Sequence, residues 1–187
     1  MNKYELTSET LRYKIYTLHR IKALKDFGSI KAGELGGWIK KEENLSQYGN
    51  AWVHDNAKVY GDAKVHGNAH VYCNAKIYND ASVYGNACVH DYAEIYNDVK
   101  VFGNADICGH AKVCNNADYI VFKNFWSSGR YFTWTRSNNK WSVGCFYGTG
   151  DELVKKAYAD SEKSGREYER VVRYVEGILA DEKKGEK

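Results

Sequence analysis

The 187-residue sequence contains no proline, one methionine and no long apolar run. Because proline is absent, the ends of the chain are predicted to form strands and helices rather than flexible linkers. No apolar stretch reaches the roughly 18–20 residues that span a bilayer, and no secretory signal begins the sequence, so no membrane partner is expected. The five cysteines are an odd number without scaffold spacing, which favours a reducing, cytoplasmic location.

Acidic residues are scarce in two segments, although the formal net charge of the whole chain is only +3. Residues 1–40 hold eight Lys or Arg against four acids. Residues 119–150 hold no acid and four basic residues: Lys123, Arg130, Arg136 and Lys140. The net charge is too small to indicate nucleic-acid binding, but its uneven distribution along the chain is more informative.

A six-residue repeat fills residues 49–117. An aliphatic residue such as Val59 recurs every six positions, and a small residue such as Ala57 precedes it by two. Side chains two apart on a strand share a face, so both are predicted to point inward. The remaining pair is usually Gly or Asn followed by Asn or Asp, residues that tolerate positive φ and form corners. Each unit therefore predicts a very short strand followed by a corner.

The period decides between possible architectures. A helix is excluded because positions six apart lie roughly 120 degrees apart around a helix axis. A meander of hairpins stays open as an alternative, but it needs alternating strand directions at identical spacing. A parallel coil, in which every unit plays the same role, is the simpler solution.

This pattern resembles the hexapeptide repeat of left-handed β-helix proteins, in which three units make one triangular coil. The flanks at residues 18–27, 33–38, 44–46 and 144–149 resemble phage- and prophage-encoded proteins that are named acyltransferases or polymer-forming proteins. The resemblance implies that such acyltransferases use a histidine near a groove between subunits, and often a loop that projects from the coil. No loop interrupts residues 53–118, and fold alone does not carry function.

We therefore predict a mainly β fold. A left-handed parallel β-helix at residues 49–118 lies between an N-terminal β cap at residues 1–48 and a C-terminal α+β cap at residues 119–187. In the N-terminal cap, residues 11–24 are strand-like. Segments of this size at both ends cover the open strand edges of the coil, which argues for a finite particle and against a polymer.

The C-terminal cap is predicted to hold three antiparallel strands and two helices. The strands are expected at residues 119–125, 130–136 and 140–146. A capping box at residues 149–152 starts the first helix, and an apolar stripe predicts the second at residues 166–180.

The position after each aliphatic residue is Tyr, His or Phe in nine consecutive units. If three units make a coil, residues eighteen apart stack into three outward ladders: His54-Tyr72-His90-Cys108, Tyr60-Tyr78-Tyr96-Cys114 and His66-Tyr84-Phe102. These ladders either stabilise neighbouring rungs only or also contact a partner. We predict a homo-oligomer, a trimer or dimer, that buries the second or the third ladder.

The first face carries a second outward column: Trp52, His70, Cys88 and Asp106. The two columns gather residue types that bind metals. No ligand-spacing motif is present, so no metal centre is predicted, and the residues that could share an ion are His70, Cys88, His90 and Cys108. Histidines in repeat positions are predicted to be structural.

The segment 119–150 combines many aromatic residues with its basic ones. Aromatic rings stack on bases and guanidinium groups pair with phosphate, so its candidate binding residues are Lys123, Arg130, Trp134 and Arg136. Tyr60, Tyr78 and Tyr96 are candidates for a protein contact. The alternative is that the aromatic residues form the core of a small sheet packed on helices. Cys145 is predicted to be a buried strand cysteine, the alternative being an activated thiol near a helix N-terminus.

The function predicted from these features is noncatalytic binding or inhibition without a cofactor. The resemblance to phage-borne proteins implies a host protein complex or an anionic nucleotide signal as the target. The alternative is a coenzyme-A-dependent acyltransferase, which would bind acetyl-CoA.

Overall fold

The computed structural model describes residues 2–126 and 129–185. Its strands in chain order are β1 (Tyr4–Tyr13), β2 (Tyr16–Ala23), β3 (Leu35–Ile39), β4 (Trp52–Val53), β5 (Lys58–Val59), β6 (Lys64–Val65), β7 (His70–Val71), β8 (Lys76–Ile77), β9 (Ser82–Val83), β10 (Cys88–Val89), β11 (Glu94–Ile95), β12 (Lys100–Val101), β13 (Asp106–Ile107), β14 (Lys112–Val113), β15 (Tyr119–Lys123), β16 (Tyr131–Thr135), β17 (Lys140–Val143) and β18 (Phe146–Gly148). The helices are α1 (Gly150–Asp160) and α2 (Glu162–Gly185), with short 3-10 turns at Glu42–Asn44 and Asn116–Asp118.

Strands β4 to β14 form a parallel β-helix of about four turns. Strands eighteen residues apart pair in register, as Val53 with Val71 and Val65 with Val83. The three faces are the sheets β4-β7-β10-β13, β5-β8-β11-β14 and β6-β9-β12. The small and aliphatic columns are buried along the coil axis and make one continuous core. The predicted parallel coil is therefore confirmed, and the meander is excluded.

The corners lie in the left-handed region of φ. Gly61 has φ +70°, and a Cβ built on it would lie 2.9 Å from the amide nitrogen of Asn79 on the next rung. Asn79 itself adopts φ 58°, which Asn tolerates better than most residues. Rung spacing and backbone conformation together therefore favour Gly and Asn at these positions.

The N-terminal cap differs from the single strand predicted at residues 11–24. The chain reverses between β1 and β2, and this hairpin continues through β3 into the sheet β5-β8-β11-β14. The turn passes through Lys14 at φ 53° without a Gly or Asn, so the sequence carried no turn signal there.

The N-terminal cap also closes the first rung of the coil. Trp52 is fully buried and its ring meets Tyr4 and Phe27 edge-on, with centroids 6.1 and 5.4 Å away. The buried Lys3 donates from Nζ to the Ala51 carbonyl at 2.8 Å. A first-rung carbonyl that no coil amide reaches is thereby satisfied.

The C-terminal sheet has four strands in the order β15-β16-β17-β18, one more than predicted. The predicted strand at residues 140–146 turns at Gly144, which has φ +58°. Cys145 lies in this turn and is exposed, so the prediction of a buried strand cysteine was wrong.

Both faces of the small sheet are buried. Phe132, Trp134 and Trp141 pack on α1 and α2, as the core alternative for the aromatic residues supposed. Thr133 and Ser142 face the coil instead, because alternate residues point to opposite sides of a strand.

The predicted capping box is confirmed at the start of α1. The Thr149 amide donates to Glu152 Oε2 at 2.7 Å, and the Glu152 amide donates to Thr149 Oγ1 at 3.3 Å. Helix α2 extends beyond the predicted residues 166–180 at both ends. Neither helix of the described chain is long and apolar enough to cross a membrane.

Side chains of the C-terminal segment accept hydrogen bonds from the last rung of the coil. Its amides donate to side-chain oxygens in three places: Lys100 to Asn116 Oδ1 at 3.2 Å, Asp106 to Thr133 Oγ1 at 3.0 Å and Lys112 to Ser137 Oγ at 2.7 Å. Strand amides that another molecule could pair with are thus occupied, which supports the argument for a finite particle.

Candidate functional site

The outward side of the sheet β4-β7-β10-β13 collects most of the ionisable side chains that could do chemistry, and we call it the histidine face. Cys88 is aligned with His70 on one side and Asp106 on the other, as the eighteen-residue register predicted. The second column stacks in the same way, with the His54 and Tyr72 rings 4.2 Å apart.

Two side-chain contacts on this face run diagonally between neighbouring rungs of the coil. His54 Nε2 lies 2.9 Å from His70 Nδ1, and His90 Nε2 lies 3.0 Å from Asp106 Oδ1. In each contact, the first residue directly follows the aliphatic residue of its rung. Its partner lies sixteen positions later and directly precedes the aliphatic residue of the next rung. The histidine face is thereby divided into two separate groups of residues.

The first group is the imidazole pair, His54 and His70. Burial, followed by the neighbouring His70, lowers the pKa of His54 to about 4. Burial, followed by the charge of Lys3, also lowers the pKa of His70. Both rings are therefore neutral at pH 7. One N–H between them donates, which leaves one outer ring nitrogen of the pair with a lone pair that can accept a proton.

The end of the coil behind the imidazole pair is buried, with Lys3 and Trp52 almost wholly covered. Burial, followed by Lys25, lowers the pKa of Lys3 to about 8. Among the described residues, no hydrogen-bond partner reaches the buried indole nitrogen of Trp52. The imidazole pair lies next to this buried end, since the charge of Lys3 acts on His70.

The second group is the His-Asp-Cys cluster, His90, Asp106 and Cys108, whose nitrogen, oxygen and sulfur atoms all lie within 4.8 Å of one another. The hydrogen bond to Asp106, and then the contact with Cys108, raises the pKa of His90 well above its ordinary value. Burial opposes ionisation of Asp106, but hydrogen bonds from His90 and Ser142 hold its pKa below the ordinary value.

Three residues around the cluster fix the orientation of its members. Asp91 Oδ1 lies 3.4 Å from His90 Nδ1, and Asp91 Oδ2 accepts from the Gly109 amide at 2.9 Å. From the C-terminal sheet, Ser142 Oγ donates to Asp106 Oδ2, and Thr133 accepts from the Asp106 amide. The cluster therefore lies in the seam between the coil and the cap.

Of the four binding residues predicted in the segment 119–150, two are engaged in contacts within the protein and two are exposed. Trp134 is buried and donates from its indole nitrogen to Asn139 Oδ1 at 2.9 Å. Arg136 forms a two-point ion pair with Glu182 at 2.7 and 3.1 Å. Lys123 and Arg130 are exposed, so the structure leaves these two available to a ligand.

The predicted tyrosine ladder is covered at one end by the chain itself. Tyr60 is only 2% exposed, because Tyr13 and Tyr16 of the N-terminal hairpin pack on it with ring centroids 5.5 and 5.4 Å away. Tyr78 and Tyr96 continue the stack at 5.1 Å spacing. Among the residues that the structure describes, none packs in this way on the third ladder, from His66 through Tyr84 to Phe102, and Phe102 is 51% exposed.

A cleft of about 590 Å³ opens beside the end of the third ladder. Its lining includes Lys100, Phe102, Tyr119 and Tyr131. It combines aromatic rings with a cation at the junction between coil and cap, and the sequence argument had not brought these four residues together.

Sequence reasoning placed His90, Asp106 and Cys108 on one face but missed the residues that surround them. Asp91 had a readable signal, since it directly follows His90 at a corner. Ser142 and Lys3 carried none, because their contacts span 36 and 48 residues.

No protein-family model matches the chain. A stretch of 74 residues is 38% identical to an uncharacterized acetyltransferase, YdcK, of Escherichia coli (strain K12). The match covers 35% of this chain and 23% of that protein, so the chain spans less than a quarter of the relative's length. The likeness agrees with the hexapeptide β-helix architecture.

Proposed function

We propose that the chain is an acyltransferase in which the imidazole pair acts as general base toward a hydroxyl or amine acceptor. The 2.9 Å contact between His54 and His70 carries this proposal, since it leaves two neutral rings with one free proton-accepting nitrogen. A general base must be unprotonated to act, and burial keeps both rings unprotonated at pH 7 because it lowers the pKa of His54 and of His70. The name of the E. coli relative supports the reaction class.

In the proposed reaction the acceptor oxygen or nitrogen attacks the thioester carbonyl of an acyl-coenzyme A. The free ring nitrogen of the imidazole pair takes the acceptor's proton, and that proton passes to the departing thiolate of the coenzyme. Tyr72, stacked on His54, would hold the ring in the orientation that this transfer needs.

Acetyl-CoA cleavage tests the proposal, with release of the coenzyme thiol followed against a panel of hydroxyl and amine acceptors. A general base contributes about 10²–10⁴-fold to rate, so His54→Asn and His70→Asn should each lower turnover by at least about a hundredfold. His110→Asn is the control, because the exposed His110 stacks on Tyr92 and belongs to neither the imidazole pair nor the third ladder. Undiminished turnover in both pair variants would exclude this role.

The proposed enzyme is a homo-oligomer that buries the third ladder, because the N-terminal hairpin already covers Tyr60 of the second. Light scattering at micromolar concentration should report a dimer or trimer that dissociates on Phe102→Glu. Lys64→Glu, on the same face but outside the ladder, should leave the mass unchanged. A monomeric wild-type chain would contradict the assembly.

A second candidate function is noncatalytic binding of a nucleotide, the inhibitory role that the sequence suggested. The cleft at Lys100, Phe102, Tyr119 and Tyr131 favours it, because rings can stack on a base while Lys100 meets phosphate. Calorimetry with ADP should show binding that Tyr131→Ala and Lys100→Ala weaken and Lys64→Ala does not. Absence of heat with ADP would remove this candidate.

A further inference from the structure

The donor atoms of the His-Asp-Cys cluster form a ligand set for a borderline-soft metal ion. His90 offers a ring nitrogen, Asp106 a carboxylate oxygen and Cys108 a thiol sulfur, all within 4.8 Å of one another. In a tetrahedral zinc site with bonds of about 2.0–2.3 Å, neighbouring ligand atoms lie roughly 3.3–3.7 Å apart. Small side-chain rotations therefore suffice. We propose that this cluster binds one Zn²⁺ ion, a site that is independent of acyl transfer by the imidazole pair.

The coil holds the three ligands on a rigid backbone. Asp106 and Cys108 lie two residues apart at β13 and point outward together, while His90 precedes Cys108 by one rung in the same column. The His90 amide donates to the Ile107 carbonyl on the next rung, and the Asp106 amide donates to Thr133 of the C-terminal cap. The ligand positions are set by fold, so a metal ion would not have to order a loop.

The residues around the cluster match the outer shell of a zinc site. Metal-bound histidines commonly donate their second N–H to a carboxylate, which fixes the ring. Asp91 Oδ1 lies 3.4 Å from His90 Nδ1 and is anchored through its other oxygen by the Gly109 amide. Ser142 donates to Asp106 Oδ2, while Oδ1 faces His90 Nε2 at 3.0 Å, so a metal ion would replace the hydrogen bond between these two ligand atoms.

The surroundings of the cluster leave a fourth coordination position. Cys108 is only 4% exposed, whereas the side chains of His90 and Asp106 are 31% and 34% exposed. The ion would thus be sheltered by the cap on one side and open to a water ligand on the other. His90 and Asp106 lie on successive rungs of the coil, so the bound ion would link these two rungs. Ser142 of the C-terminal cap would contact the ion only through its hydrogen bond to Asp106.

Metal titration of the full chain tests this site directly. After chelator treatment and desalting, the protein is titrated with Zn²⁺ in competition with a chromophoric chelator, and separately with Co²⁺. The wild type should bind one ion per chain, and Co²⁺ should give a thiolate charge-transfer band. Cys108→Ser should abolish that band and weaken Zn²⁺ binding at least tenfold, and His90→Gln should weaken it at least tenfold.

Two further variants separate this site from other sources of binding. Asp91→Asn should weaken Zn²⁺ binding about 10–100-fold, as loss of an outer-shell partner does. Cys114→Ser and Cys145→Ser are matched controls that should change nothing, since neither thiol belongs to the cluster. His70→Asn should likewise leave Zn²⁺ binding intact, so failure of the acyltransferase proposal does not affect this test.

Two results would overturn the zinc site. One is a wild-type chain that binds no stoichiometric Zn²⁺; the other is binding that survives Cys108→Ser and His90→Gln but disappears with Cys145→Ser. Circular-dichroism melts in chelator establish that each variant is folded, and Cys108→Ser serves as the primary variant should His90→Gln fail to fold.

Discussion

The closure of the coil's last rung predicts a specific cost for Thr133→Val. Thr133 Oγ1 accepts from the Asp106 amide at 3.0 Å, and Thr133 is only 1% exposed. Valine has nearly the same shape but no acceptor, so the substitution leaves the partly buried Asp106 N–H without its partner. Such a group costs about 1–3 kcal/mol.

Ser137→Ala is the matched control, because Ser137 accepts from the Lys112 amide at 2.7 Å but is exposed. Water can take over that hydrogen bond, so a change within about 0.5 kcal/mol is expected. Denaturant unfolding measures both variants, and each lost kcal/mol should lower the melting temperature by about 2–4 °C. Equal stability of Thr133→Val and wild type would refute the argument that buried end-capping stabilises the coil.

Two other substitutions test the inside of the coil and its N-terminal cap. Ala75→Leu should destabilise the chain by about 1–3 kcal/mol in thermal melts, because the buried column of small residues cannot accept a larger side chain. Lys64→Ala, at an exposed position, should leave the stability almost unchanged. The reverse pattern would mean that the assignment of inward and outward positions is inverted. Burial lowers the pKa of Lys3 from 10.5 to about 8. Between these pH values the unfolded chain binds more protons than the folded chain, so the stability should rise with pH. The rise should reach up to about 3 kcal/mol relative to Lys3→Met. Parallel pH–stability curves of wild type and Lys3→Met would contradict this burial.

The coil could be predicted from sequence because each repeat unit encodes its own strand and corner. Six-residue spacing fixed which residues face inward, and eighteen-residue stacking predicted the partners of Cys88 on both sides. Local signals also sufficed at the start of α1, where Thr149 and Glu152 cap each other over three residues.

Features that depend on contacts between distant segments could not be predicted in this way. The hairpin turn at Lys14 packs on a distant part of the chain, because Tyr13, Tyr16 and the Lys14 ammonium all contact the ring of Tyr60. Arg136 was predicted to be free for an anion, but its partner Glu182 lies 46 residues away on α2.

The histidine face shows the same limit within the coil. Stacking predicts vertical columns, whereas the shortest contacts run diagonally, because His54 and His90 reach the neighbouring column on the next rung. That choice depends on side-chain length and on which polar partner the diagonal position happens to hold.

The neutral imidazole pair is the premise of the proposed chemistry, and an NMR pH titration of ring nitrogens tests it most directly. His54→Asn and His70→Asn assign the two ring signals. The structure predicts that His54 stays unprotonated down to about pH 4 and that His70 titrates below the ordinary histidine value of 6.5. Protonation of His54 near pH 6.5 would contradict the burial and the contact on which the proposed general base depends.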